Sequence, residues 1–394
     1  MNKVWPFSLN FLIFAAVAFI APFLVLYYQS LGFNGTQIGL LAGLTPLVTM
    51  VSAPFWTGLA DQTRRHRLIM SATLGVSVAL LLVLPGFSAF APILLLIVLF
   101  NAFYAPVSSF TDSATMFMLG DKKELYGRVR LGGTFGFGIA ATIAGVFVQN
   151  YGIRYAFWGG ALLLLLALLV SQKLVFGQAH VGVAIKQGLR TLLVDRRWIL
   201  FLTLALAGGF ALAANNSYFL PYMKELGTAE SLMGVVLTIG VLSEIPVLFF
   251  GNRLLRRLTA NGLLLLAMIV TGLRLVVLAM VQTPEAALLL QLINGLTFPA
   301  MWIAGVAYAD QYAPPGMRST AQGLFGAMVF GLGLAIGGFV GGPILEQAGG
   351  QAVFLIYGVI VLAVTLAVML LQYRWGTTRQ DRHALPARDV VQSD

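Results

Sequence analysis

Apolar runs, each near the roughly 20 residues that an α-helix needs to cross the hydrocarbon of a bilayer, recur along almost the whole of this chain. A single surface anchor does not explain so many of them. Hydrophobic residues fill 59% of the 394 positions and charged residues only 10%, against about 25% charged in a soluble domain. The membrane is therefore the expected solvent of the fold. The first run, Trp5 to Leu26, follows a lone Lys3, but it is longer than the core of a signal sequence and more spans come after it, so it reads as the first helix.

Polar breaks between the runs place helices at about 5–28, 37–58, 68–87, 91–118, 124–149, 153–173, 198–222, 231–251, 261–282, 286–309, 318–343 and 352–373. The expected fold is an all-α membrane protein of twelve transmembrane helices. With both termini in the cytoplasm, Arg154, Lys224 and Arg274 are the only three of 24 Lys and Arg residues off the cytoplasmic segments. The opposite orientation would reverse that asymmetry. The net charge of +10 thus marks topology in a bacterial-type inner membrane, with lipid as the surrounding partner, rather than binding to nucleic acid.

The 174–197 segment, with Lys186, Arg190, Arg196 and Arg197, reads as a cytoplasmic linker between six-helix bundles at 1–173 and 198–373, and 374–394 reads as a cytoplasmic tail. A weak repeat crosses the linker. Tyr28-Gln29-Ser30-Leu31-Gly32 with Gly39 matches Met223-Lys224-Glu225-Leu226-Gly227 with Gly234 at a constant offset of 195. Duplicated halves of this kind put a solute site between the repeats near the midplane.

The chain has no cysteine, and its histidines, His66, His180 and His383, fall in loops or the tail. Thiolate chemistry is excluded, no metal or other cofactor is expected, and any proton carrier within the membrane must be a carboxylate. Four ionisable residues fall inside the expected spans: Asp112, Arg130, Glu244 and Arg274. A charge there costs several kcal/mol unless it faces a cavity or a partner. Each half offers one acid and one base on consecutive antiparallel helices, so each pair is placed to meet. Either both are static pairs that fix packing, which is often a net cost, or they belong to a solute and proton site. Arg130 also has a simpler reading as an interfacial arginine.

Gly58-Leu59-Ala60-Asp61-Gln62-Thr63-Arg64-Arg65-His66-Arg67 resembles the loop signature of the major facilitator superfamily, in which Asp61 and Arg65 would form part of a conformational latch. The match is partial: Thr57 and Arg64 replace glycines, Gln62 replaces a basic residue, and Asn252-Arg253-Leu254-Leu255-Arg256-Arg257 in the second half has no acid. The stretches Asn101 to Ala140 and Ser243 to Gln322 look like the branch of that superfamily that contains the lactose permease and the phenylpropionate and nucleoside proton symporters. The resemblance implies that Asp112 and Arg130, eighteen residues apart, bind solute with Arg274, and that Glu244 links solute binding to proton transfer. Phe137 stands where that branch has an indole, Asn215 beside Asn216 where it has carboxylates, and Asn294 and Thr297 where it has a titratable pair. Galactoside specificity is not expected, Asn294 and Asn215 become solute ligands, and the proton falls to Glu244 or Asp112.

Glycines 333, 337 and 341 share small-xxx-small spacing suited to close helix contact. Tyr27, Tyr28, Tyr218, Tyr222 and Trp302 read either as cavity walls or as interface anchors. No metalloprotease, serine-hydrolase or nucleotide-cradling motif is present, so neither an enzyme nor an ATP-driven pump is expected. The short external loops do not suit a receptor. Import of a small polar or anionic metabolite (a sugar, nucleoside or aromatic acid) on a proton gradient, by a monomer, is the expected function. Proton-coupled efflux of lipophilic compounds is the alternative. The paired arginines weigh against a cationic drug.

Overall fold

The computed structural model describes residues 4–120, 122, 125–177, 195–313 and 317–375. Lys186, Arg190 and His180 of the expected linker, and His383 of the tail, lie outside the described residues. Every regular element described is helical. Ten uninterrupted runs are long and apolar enough to cross a membrane.

The first run is α1 (Val4–Ile20), a 3-10 turn (Ala21–Phe23) and α2 (Leu24–Ser30). Then come α3 (Gly35–Thr63), α4 (His66–Val83), α5 (Phe90–Tyr104), α6 (Val107–Leu119), α7 (Tyr126–Tyr151) and α8 (Ile153–Ser171). After the basic segment, α9 (Arg196–Ala213) passes through a π-turn (Ala214–Tyr218) into α10 (Phe219–Glu225). The 50-residue α11 (Glu230–Ala279) is next, then α12 (Pro284–Leu290), a 3-10 stretch (Gln291–Leu296) and α13 (Phe298–Tyr312). The chain closes with α14 (Arg318–Gly326), a second π-turn (Ala327–Gly333) and α15 (Leu334–Arg374).

Two runs differ from the expected pattern. The run of α11 and the 55-residue run Thr320–Arg374 each continue through a place where a break between two spans was expected. A straight 50-residue helix would be about 75 Å long, far more than the roughly 30 Å hydrocarbon. Neither run is straight. Thr259 takes φ 63° and ψ 166° within α11, and Gly349 takes φ 75° and ψ 177° within α15. The helical segment after each break is capped: Thr259 Oγ1 accepts from Gly262 N at 3.2 Å, and Glu225 Oε2 accepts from Gly350 N at 2.8 Å. A one-residue connection with its own cap supplies partners for the backbone donors that a helix start exposes.

The faint repeat is repeated in three dimensions. Gly32 and Gly227 both end a helix at positive φ, 78° and 77°, where glycine carries no Cβ penalty. The backbone bonds around them match: Leu31 N to Tyr27 O at 3.1 Å and Phe33 N to Tyr28 O at 3.2 Å against Leu226 N to Tyr222 O at 3.1 Å and Thr228 N to Met223 O at 3.0 Å. Tyr27 donates to Leu84 O and Phe87 O at 3.5 and 3.3 Å, and Tyr222 donates to Leu278 O and Val281 O at 2.9 and 2.7 Å. These tyrosines are therefore buried posts that tie the first helix of each half to the third, not cavity walls or interface anchors. The helix interruptions at Ala21–Phe23 and Ala214–Tyr218 also fall within two residues of the same offset.

The outward-facing side chains are apolar. Leu162 and Leu169 on α8, Phe249 on α11 and Met280 after it are exposed, as a surface in contact with lipid requires.

Candidate functional site

A cavity of about 350 Å³ lies between the halves near their middle, where the helix interruptions are. Its first-half wall is apolar: Phe14, Val17, Ala21, Pro22 and Phe137. All of its side-chain polarity comes from the second half, as Asn215, Asn216, Glu244, Gln291 and Asn294. A side pocket of about 30 Å³ opens beyond Asn215, Asn294 and Phe298 and is lined by Thr271, Arg274 and Thr297. It has room for one or two waters.

The interruptions place these groups. The π-turn after α9 carries Asn215 and Asn216 to the cavity wall. The 3-10 stretch at Gln291–Leu296 leaves the Leu290 carbonyl outside a regular helix, where it accepts from Arg274 Nε at 3.1 Å. Arg274 Nη2 donates to Gln291 Oε1 at 2.8 Å, and the arginine is only 5% exposed. Glu244 Oε1 accepts from Asn294 Nδ2 at 3.0 Å, and Thr297 Oγ1 donates to the Asn294 carbonyl at 2.6 Å. The expected symmetry of two acid–base pairs therefore fails in the second half. Glu244 and Arg274 are not an ion pair: the amides of α12–α13, Asn294 and Gln291, stand between them and satisfy each separately.

The first-half pair does form. Arg130 Nη1 lies 2.9 Å from Asp112 Oδ1. Both side chains are more than a third exposed, so the pair is not a buried packing lock. It lies outside the cavity wall, with Arg130 Cζ 5.5 Å from the ring centroid of Phe14, which is part of that wall.

Two buried polar atoms facing this region have no partner, Gln291 Nε2 and Asn215 Oδ1. One is a donor and the other an acceptor, and burying either unpaired costs about 1–3 kcal/mol. A solute or water that supplies both an acceptor and a donor would remove that cost. Gln291 was not singled out by the sequence. It is a neutral amide, and the argument from intramembrane charge does not detect amides.

The halves meet at the end that carries Gly32 and Gly227. There Gly35, Gly39 and Gly43 of α3 pack against Gly338, Phe339 and Gly342 of α15, and Gly145 of α7 packs against the start of α11. Two side chains bridge the halves to helix starts: Glu346 Oε2 accepts from Gly35 N at 2.7 Å, and Gln149 Oε1 accepts from Ser231 N at 3.2 Å. A carboxylate at a helix N-terminus is favourably placed against the helix dipole. Gly333, Gly337 and Gly341, expected to allow close contact, do so against α9 and the turn after it, through Gly209, Phe210, Ala213 and Tyr218. The close contacts between the halves through Gly35, Gly39, Gly43 and Gly145 lie at the Gly32 end, so the cavity is closed there. In this conformation Asp61 Oδ1 bonds His66 Nε2 at 2.8 Å, and Arg65 makes no bond to Asp61.

The MFS_1 like family model matches residues 7–356. The maltose permease of Geobacillus stearothermophilus is 29% identical over 94% of this chain and 95% of its own length. The multidrug resistance protein MdtG of Enterobacter lignolyticus is 25% identical over 98% of this chain and 94% of its own. Among solved structures, that of the nucleoside transporter NupG superposes with a TM-score of 0.84 at 20% identity, covering 94% of this chain and 99% of that one.

Proposed function

The chain belongs to the MFS_1 like family of major facilitator superfamily transporters, and from that premise we propose that it imports a small, neutral, hydroxyl-bearing solute, a sugar or nucleoside, by proton-coupled alternating access. The observation that carries this reading is the composition of the cavity: one carboxylate and four amides face an apolar, phenylalanine-rich wall. Flat apolar faces opposite convergent donors and acceptors suit a sugar or nucleoside ring, and about 350 Å³ is within the size range of small-molecule sites. A fixed anion would meet Glu244 in the cavity wall, while Arg274 is 5% exposed and already donates to Leu290 O and Gln291 Oε1, which ranks an aromatic acid below the neutral solutes. The similarity to a maltose permease points the same way.

The breaks at Thr259 and Gly349 divide the two longest runs, so the proposal counts twelve passes in two six-helix halves. The Arg64 end also carries Lys173, Arg196, Arg253 and Arg318, while Arg154 and Lys224 lie at the other end. The positive-inside rule then makes the Arg64 end cytoplasmic, puts both termini on that side of a bacterial inner membrane, and makes the closed Gly32 end the outer one. Glu244 is the proposed proton carrier, because it is the one carboxylate in the cavity wall. Asp112 and Arg130 act at the cavity mouth, where solute first meets a charged pair.

Proton-coupled efflux of lipophilic compounds is the second reading, favoured by the similarity to MdtG and by the phenylalanine lining. Purified full-length protein in proteoliposomes separates the two. Maltose and uridine, each radiolabelled, are offered with and without an inward proton gradient. Gradient-driven accumulation of either supports import. Extrusion of a lipophilic dye with no flux of either overturns it in favour of efflux.

A further inference from the structure

The loop between α3 and α4 holds three arginines beside a cleft that is separate from the solute cavity. Arg64 sits in the left-handed region at φ 57°, which is uncommon for a residue with a side chain and directs attention to what the loop does. Arg64 and Arg65 have no hydrogen-bond or ion-pair partner among the described residues. Arg67 Nη2 donates to Leu174 O at 2.7 Å and so ties a strap at 174–177 across the start of α4. The His66 ring stacks on Phe176 of that strap at 5.6 Å, while its Nε2 faces Asp61. Between loop and strap is a cleft of about 440 Å³.

We propose that this cleft binds the phosphate group of an anionic membrane lipid. Three guanidinium groups converge on it, and arginine presents paired N–H groups that match phosphate oxygens. The 18-residue α4 begins at the same place with no side-chain cap, so its first-turn N–H groups have no side-chain partner. Anions are bound at such helix starts. The one carboxylate in the lining, Asp61, is turned onto His66.

A lipid is preferred to free phosphate because the rest of the lining is apolar. Leu68 and Val175 are exposed there. The neighbouring helix α8, which packs on α4, continues this surface with exposed Leu162, Leu166 and Leu169. Acyl chains have a hydrocarbon track leading away from the arginines. Basic pockets at the cytoplasmic ends of transmembrane helices bind lipid headgroups in this manner.

The test is thermal unfolding of the full-length protein in a neutral detergent, titrated with phosphatidylglycerol, phosphatidylcholine or inorganic phosphate at equal phosphorus concentration. Phosphatidylglycerol alone should raise the melting temperature. The double variant Arg64→Gly with Arg65→Gln should need about thirtyfold more phosphatidylglycerol for the same shift, and Arg65→Gln alone about fivefold more. Glycine suits the positive φ at position 64, so the lipid-free melting temperature should stay at the parent value. Should the double variant nonetheless unfold, Arg65→Gln decides by itself. Equal shifts from phosphatidylcholine, or parent-like titration of Arg65→Gln, overturn the proposal. A full shift from inorganic phosphate alone overturns the lipid assignment and leaves a free-anion site.

Discussion

The seam at the Gly32 end is closed because α3 and α15 approach through glycines, and Gly39→Ala tests that closure. A Cβ at Gly39 would lie 2.8 Å from Phe339 O, 3.2 Å from Pro343 Cδ and 3.3 Å from Gly338 O. The first contact is with backbone of the opposite half, which no rotamer change relieves. Overpacking of this kind costs about 1–3 kcal/mol. When the seam parts, the added methyl has free space, so the cost falls on the closed form alone. The population open at the Gly32 end should then rise by about 5- to 150-fold relative to the closed form. The chain has no cysteine, so Ile38→Cys gives a single labelling site; Ile38 lies beside the seam and is 3% exposed when it is closed. Maleimide labelling of Ile38→Cys should accelerate by that factor in the Gly39→Ala background. Gly58→Ala, which places its methyl in open space, should leave the rate unchanged. Equal labelling rates with and without Gly39→Ala would refute the claim that these glycines hold the seam closed.

Arg274→Ala removes the donors that hold Leu290 O and Gln291 Oε1, so uptake by proteoliposomes should be abolished while the protein still inserts in the membrane; wild-type uptake would remove Arg274 from the site. Asp61→Asn should slow exchange between the two open forms without weakening solute binding, read as transport rate against equilibrium binding, and an unchanged rate would reduce the 61–67 segment to a basic loop. Tyr222→Phe removes bonds of 2.9 and 2.7 Å to Leu278 O and Val281 O, of which Leu278 O still accepts from Val281 N, and a loss of about 1–3 kcal/mol should appear as a lower melting temperature. Tyr27→Phe, whose bonds are 3.5 and 3.3 Å, should cost less than Tyr222→Phe.

The helical, membrane-spanning architecture was legible because twenty-residue apolar runs and basic loops act through solvation, which each segment carries within its own sequence. The offset of 195 was also legible, through Gly32 and Gly227, since a positive φ selects glycine locally. The tyrosine posts at the same offset were not, because their acceptors are backbone carbonyls more than fifty residues away. Outside the cavity wall, Asp112 with Arg130 forms the expected pair. Glu244 and Arg274 do not, because the choice between each other and the amides Asn294 and Gln291 depends on where a 3-10 stretch turns those amides. Glu346 and Gln149 escaped notice for a related reason: each meets a helix start in the opposite half, a contact that no single segment encodes.

We propose that Glu244, the carboxylate in the cavity wall, couples solute movement to the proton. Glu244→Gln mimics the protonated acid and keeps an acceptor for Asn294. In one batch of proteoliposomes, solute accumulation on an imposed proton gradient and counterflow of labelled solute without a gradient are measured side by side. Glu244→Gln should lose accumulation and retain counterflow. Accumulation at the wild-type level by Glu244→Gln would contradict it.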